Sequence, residues 1–145
     1  MVIAVGSDHG GFNLKESIKQ MLTEMEIEFK DFGPLECKSV DYPDYAIPVA
    51  EAVSKGEFER GILICGTGIG MSIAANKVKG IRAALVSDIY SAKITREHNN
   101  SNVLCIGERV TGPQIALEIV KAWIHAEFEG GRHDRRVNKV VEYEK

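Results

Sequence analysis

Apolar and polar positions along the chain alternate between two periods. Val2–Val5 is a short, continuous apolar run closed by Gly6, the pattern of a strand buried on both faces. Leu14, Ile18, Met21, Leu22 and Met25 then recur at helical spacing. Ile27–Gly33 alternates and stops at Gly33-Pro34, which predicts a second strand. In the polar loop that follows, Asp44 is placed to cap a helix carrying Ile47, Ala50 and Val53. Gly61–Cys65 predicts a third strand, with a helix from about Met71. Ile81–Ser87 predicts a fourth, followed by a helix from Asp88 to about His98, and Asn102–Gly107 a fifth. Pro113 suits the first turn of another helix, which places Ala116, Ile119, Val120, Trp123 and Ile124 on one side. The tail from Phe128 reads as partly helical, with Val137, Val140 and Val141 as its apolar stripe.

Strands that are mostly continuous apolar runs and alternate with helices define an α/β fold. The expected architecture is a three-layer Rossmann-like sandwich: a five-stranded parallel sheet, helices on both faces and a C-terminal helical tail. Residues 1–145 read as a single domain, because no repeat, linker or low-complexity segment interrupts them.

Composition narrows the partners. The chain is 44% hydrophobic and 27% charged, ordinary for a globular domain. A net charge of −3 gives little support to a general nucleic-acid role. No apolar run reaches the roughly 18 residues of a membrane span, and the N-terminus lacks a basic region and cleavage site. Cys37, Cys65 and Cys105 form no close pair, and an odd count argues for a reducing cytoplasm rather than a disulfide framework.

In open parallel sheets ligands bind outside the carboxyl ends of the strands. The segment CGTGIG, Cys65–Gly70, stands there after strand three, and its amides would attract negative charge. It is not a Walker A loop, because Met71-Ser72 replaces Lys-Ser/Thr. It is not a dinucleotide fingerprint, because Met71 occupies the last glycine position. A phosphatase loop would want an arginine where Met71 stands. Most strand cysteines are small buried hydrophobes, which suits Cys105. Cys65 differs, because it ends its strand where amides converge, and such amides favour a thiolate. His9 and His98 read first as ordinary polar residues, and His125 as structural. No histidine pair has metal-ligand spacing and there is no C-x-x-C, so no metal site is expected. Arg132 and Arg136, four apart beyond Gly130-Gly131, would share a helical face suited to a phosphate dianion.

Taken together, SDHGGFNLK, VDYPDYA, GILICGTGIGMSIAANK, GIRAALVSD, REHNNSNVL, IGERVTG and FEGGRHDRRV resemble the type B ribose-5-phosphate isomerases and the related galactose- and allose-6-phosphate isomerases. The resemblance covers nearly the whole chain. It implies aldose–ketose isomerisation of ribose 5-phosphate and ribulose 5-phosphate, with no metal or other cofactor. It implies Cys65 as the base between C1 and C2, which places the chain in the cysteine-base group rather than with relatives that use a glutamate. The amides of Gly66, Thr67, Gly68, Ile69 and Gly70 would hold the enediolate oxygens rather than the phosphate. Thr67 and His98 would open the furanose ring, Asp8 and Asn99 would bind hydroxyls, and His9, Arg109, Arg132 and Arg136 would gather around the phosphate. Runner-up readings are the same chemistry on a hexose 6-phosphate and a non-catalytic sugar-phosphate-binding module.

A helix after strand four runs back to the amino ends of the sheet. That puts His98 about 15 Å or more from Cys65 across a five-residue strand. A two-fold partner is then expected to supply it, as a homodimer with shared sites; a tetramer of two such dimers is left open.

Overall fold

A computed structural model describes residues 1–144. It contains β1 (Val2–Ser7), a short 3-10 turn (His9–Gly11), α1 (Phe12–Glu24), β2 (Glu28–Asp31), α2 (Pro43–Ser54), β3 (Arg60–Cys65), α3 (Ile69–Ala75), β4 (Ala83–Leu85), α4 (Ile89–Asn99), β5 (Val103–Gly107), α5 (Pro113–His125) and α6 (Arg132–Tyr143). The five strands run parallel in the order β2-β1-β3-β5-β4. The expected three-layer α/β sandwich is present. From β1 the chain moves first to one side and then to the other, so the topological switch point lies between β1 and β3.

The continuous apolar strands are explained by two cores. On one face Ile3, Val5, Ile62, Ile64, Leu104 and Ile106 pack under α1, α4 and α5, around the fully buried Trp123. On the other, Ala4, Leu63, Val103 and Cys105 pack under α2 and α3. Cys105 is sealed there, and burial pushes its thiol well up, so it is inert as expected.

Boundaries moved where local rules met packing. Asp44 lies inside the first turn of α2 and Tyr42 is its N-cap, because Pro43 starts the helix. The buried face of α2 is Ala46, Val49, Ala50 and Val53, whereas Ile47 is exposed. Helix α3 begins at Ile69 rather than Met71, and β4 shrinks to three residues. Along α6, Val140 is 61% and Val141 39% exposed while Val137 is half-buried, so the described residues leave most of the expected apolar stripe uncovered.

One polar group crosses the pattern. Lys15 is fully buried, and its Nζ donates to both Asp31 carboxylate oxygens and to the Pro34 carbonyl, at 2.6–2.9 Å. Burial alone would raise the Asp31 carboxyl, but hydrogen bonds from Lys15, Lys19 and the Gly33 amide hold it below its ordinary value. Removing one partner from a buried pair leaves a desolvated charge behind. Lys15→Met is therefore expected to destabilise the fold by about 3 kcal/mol, the low end of that class because Lys19 remains. Urea unfolding measures the loss. A depressed Asp31 contributes stability above the ordinary carboxylate range, and that contribution disappears as pH falls through its lowered value. The variant should show a smaller acid limb, because Lys19 and the Gly33 amide still hold Asp31.

Candidate active site

The carboxyl ends of β1 and β3 meet at the switch point. Leaving β1, Asp8 caps the 3-10 turn by accepting the Gly11 amide at 3.2 Å. His9 Nδ1 accepts the Val40 amide at 3.2 Å, so the ring proton belongs on Nε2. Leaving β3, Cys65 is 5% exposed and its Sγ accepts the Gly68 amide at 3.1 Å. Gly68 has φ +79°, a left-handed conformation that turns the chain straight into α3. Thr67 is exposed, and its hydroxyl accepts the Ile69 amide at 3.2 Å. Two of the five loop amides thus already have partners, which narrows the expectation that all of them face a ligand.

Arg109 reaches this loop from the end of β5. Its amide donates to the Gly66 carbonyl at 3.0 Å. Its guanidinium lies so close that a Cβ on Gly66 would sit 3.2 Å from Nη1. Tyr42 lies over Gly70, where a Cβ would come within 2.8 Å of its ring. Tyr42 escaped the sequence reading, because an aromatic in a loop carries no signal of what it faces.

The second cluster lies at the other end of the sheet. His98 and Asn99 close α4, and Asn100 ends the helix with φ +49°. The chain then returns to the start of β5, where Val103 pairs with Gly61; Cys65 pairs with Gly107 four residues further on. Four strand residues span about 13 Å. His98, Asn99 and Arg136 line a cavity of about 350 Å3 with Arg82, His133, Val137 and Val140. Arg82 Nε donates to the Asn100 carbonyl at 2.9 Å, and burial, partly offset by Glu144, lowers its guanidinium pKa. Arg132 opens α6, exposed and outside the cavity lining. Within one chain, Asp8, His9, Cys65–Gly70 and Arg109 therefore sit at one edge, and His98, Asn99 and Arg136 at the other. The single gathering of His9, Arg109, Arg132 and Arg136 does not occur inside one subunit. Arg82 and His133 belong to the second cluster but were missed. Nothing in their sequence neighbourhoods distinguishes them from surface or core residues.

His98, Glu129 and His133 offer donor atoms that all lie within 4.8 Å of one another. The two imidazoles are stacked, with centroids 4.1 Å apart and planes 15° from parallel. Their in-plane lone pairs therefore run side by side instead of converging on one ion. Arg82 and Arg136 share the cavity and oppose a cation there.

A thiol that accepts one amide N–H at the switch point, with histidine and guanidinium groups at the opposite edge, fits a site for a small anionic substrate. Residues 3–140 match the model of the Ribose/Galactose Isomerase family, and the chain belongs to that family. Ribose-5-phosphate isomerase B of Escherichia coli is 51% identical over 98% of this chain and 95% of its own length. A D-erythrulose-4-phosphate isomerase of Pectobacterium atrosepticum is 46% identical over 98% of this chain and 94% of its own. The solved structure of Clostridium thermocellum ribose-5-phosphate isomerase B superposes with a TM-score of 0.97, at 56% identity, covering 99% of this chain and 97% of that one. No helix among the described residues is long and apolar enough to cross a membrane.

Proposed function

We propose that this chain interconverts D-ribose 5-phosphate and D-ribulose 5-phosphate through an enediolate, with a cysteine base and no metal. The observation that carries this reading is the Cys65 sulfur at the switch point, receiving an amide N–H from Gly68. An N–H aimed at sulfur stabilises a thiolate, and Gly66, Thr67 and Gly70 of the same short loop carry further backbone amides.

The ring opens first. A base takes the proton of the anomeric hydroxyl, the C1=O bond forms, and the C1–O4 bond breaks onto O4, which takes a proton. Thr67 and His98 are assigned to these transfers. The Cys65 thiolate then takes the C2 proton, and the released electron pair forms the C1=C2 bond with negative charge on O1. The amides of Gly66, Thr67 and Gly70 are candidates to hold that charge; one well-placed donor of this kind contributes roughly 3–4 kcal/mol. The proton returns to C1, and the O2 proton passes toward O1 as the ketone forms. Asp8 and Asn99 bind hydroxyls, while His9, Arg109, Arg132 and Arg136 neutralise the phosphate.

The two clusters make one site only if a two-fold partner joins them. Self-association as a homodimer sets the Cys65 edge of one subunit against the His98 edge of the other. Exposed apolar groups support this. Ile69 and Ile73, on the helix that starts at the Cys65 loop, are 50% and 56% exposed, and Val140 lines the His98 cavity while remaining exposed.

Ring size and chain length are the open variables of substrate choice, and a relative named for a tetrose phosphate makes that substrate the second reading. The purified chain, with chelator present, is assayed on ribose 5-phosphate, allose 6-phosphate, galactose 6-phosphate and D-erythrulose 4-phosphate. The highest kcat/KM is expected on ribose 5-phosphate, unchanged by the chelator. A higher value on another sugar reassigns the substrate. Loss of activity with chelator removes the metal-free mechanism, and tight binding without turnover on all four supports a sugar-phosphate-binding module.

A further inference from the structure

The Gly130-Gly131 turn does more than begin a helix. Both residues have positive φ, +69° and +57°, and the chain reverses so sharply that His133, the second residue of α6, lies flat on His98. Just before the turn, the Glu129 amide donates to the carbonyl of Glu97, the residue preceding His98, at 3.0 Å. That bond registers Glu129 on the last turn of α4. Its carboxylate oxygen then stands 3.7 Å from His98 Nε2 and 3.5 Å from His133 Nε2. His133 is buried, whereas the His98 side chain keeps 35% of its surface open toward the cavity. One imidazole is thus packed on its face by a second ring and flanked at Nε2 by an anion.

We propose that Glu129 is a positioning residue for His98. Its carboxylate favours the proton on Nε2 and leaves the lone pair on Nδ1 to exchange a proton with the sugar. The inference rests on the reading of His98 as a ring-opening group. It adds the residue that selects which ring nitrogen exchanges a proton with the sugar. Glu129 acts only through His98 and is not required for the transfer between C1 and C2.

The two directions of the reaction separate these roles. Ribose 5-phosphate is mainly a furanose and must be opened. Ribulose 5-phosphate is open-chain, because its O5 carries the phosphate and no five-membered ring can close. In full-length Glu129→Gln, which keeps the side-chain shape, kcat from ribose 5-phosphate is expected to fall about 10-fold or more, a modest part of a general acid–base contribution. From ribulose 5-phosphate, kcat and the exchange of C1 hydrogen with D2O should stay within about two-fold of wild type, because proton abstraction by Cys65 is untouched. His98→Asn should show the same directional pattern with a larger loss, and adding Glu129→Gln to it should cost nothing further. A Glu129→Gln enzyme that slows equally in both directions, or not at all from the aldose, overturns the inference while a directional His98→Asn leaves the ring-opening reading standing. A His98→Asn enzyme that slows both directions alike removes that reading, and the positioning role with it.

Discussion

Cys65→Ala is expected to abolish turnover while sugar-phosphate binding persists. A general base typically accounts for 10²–10⁴ in rate, so kcat should drop by about 10³ or more in both directions. The exchange of C1 hydrogen of ribulose 5-phosphate with D2O should disappear with it, because no other group is assigned to that proton. Binding should survive because the charge-bearing groups assigned to the phosphate are elsewhere, and the Arg109 amide still donates to the Gly66 carbonyl. Removing one sulfur from a site that is 5% exposed leaves a small cavity, so unfolding in urea checks that the variant is folded. Calorimetric titration with ribose 5-phosphate measures the affinity. A variant with near-normal kcat would show that another residue is the base.

Mixing two proteins that are each inactive on ribose 5-phosphate should restore activity on that substrate. Cys65→Ala spoils one half of each shared site and His98→Ala the other half. In a mixed dimer both lesions fall into the same site, and the second site is intact. Random exchange makes half of the dimers mixed, so about a quarter of wild-type activity should return. Subunit exchange is confirmed independently by native mass spectrometry of differently tagged chains. Absence of rescue after confirmed exchange would mean that His98 serves the Cys65 of its own chain. The four-residue strand separation between their clusters argues against that arrangement.

Much of the fold was legible in the chain because β1, β3 and β5 are buried runs of apolar residues and the longer helices carry apolar stripes. Those patterns are local consequences of burial on two faces of a parallel sheet. They misled where a single residue had two roles. Asp44 has the chemistry of a cap, but Pro43 already occupies the first turn and moves the boundary to Tyr42. Ile47 has the right hydrophobicity for the core, yet the helical phase set by Ala46, Val49, Ala50 and Val53 turns it outward.

The candidate site divides in the same way. By itself the sequence determined that a thiol ends a buried strand beside a glycine-rich turn, because strand burial and glycine spacing are properties of contiguous residues. It also determined that His98 closes a helix returning to the far end of the sheet. Only the tertiary structure decided that His133 stacks on His98, that Glu129 stands beside both, that Arg82 enters their cavity and that Tyr42 covers Gly70. Glu129 and His133 lie 31 and 35 residues beyond His98 in the chain. Contacts across such separations depend on where a two-glycine turn aims the last helix and on how sheet order places neighbouring strands. No periodicity along the chain encodes either one.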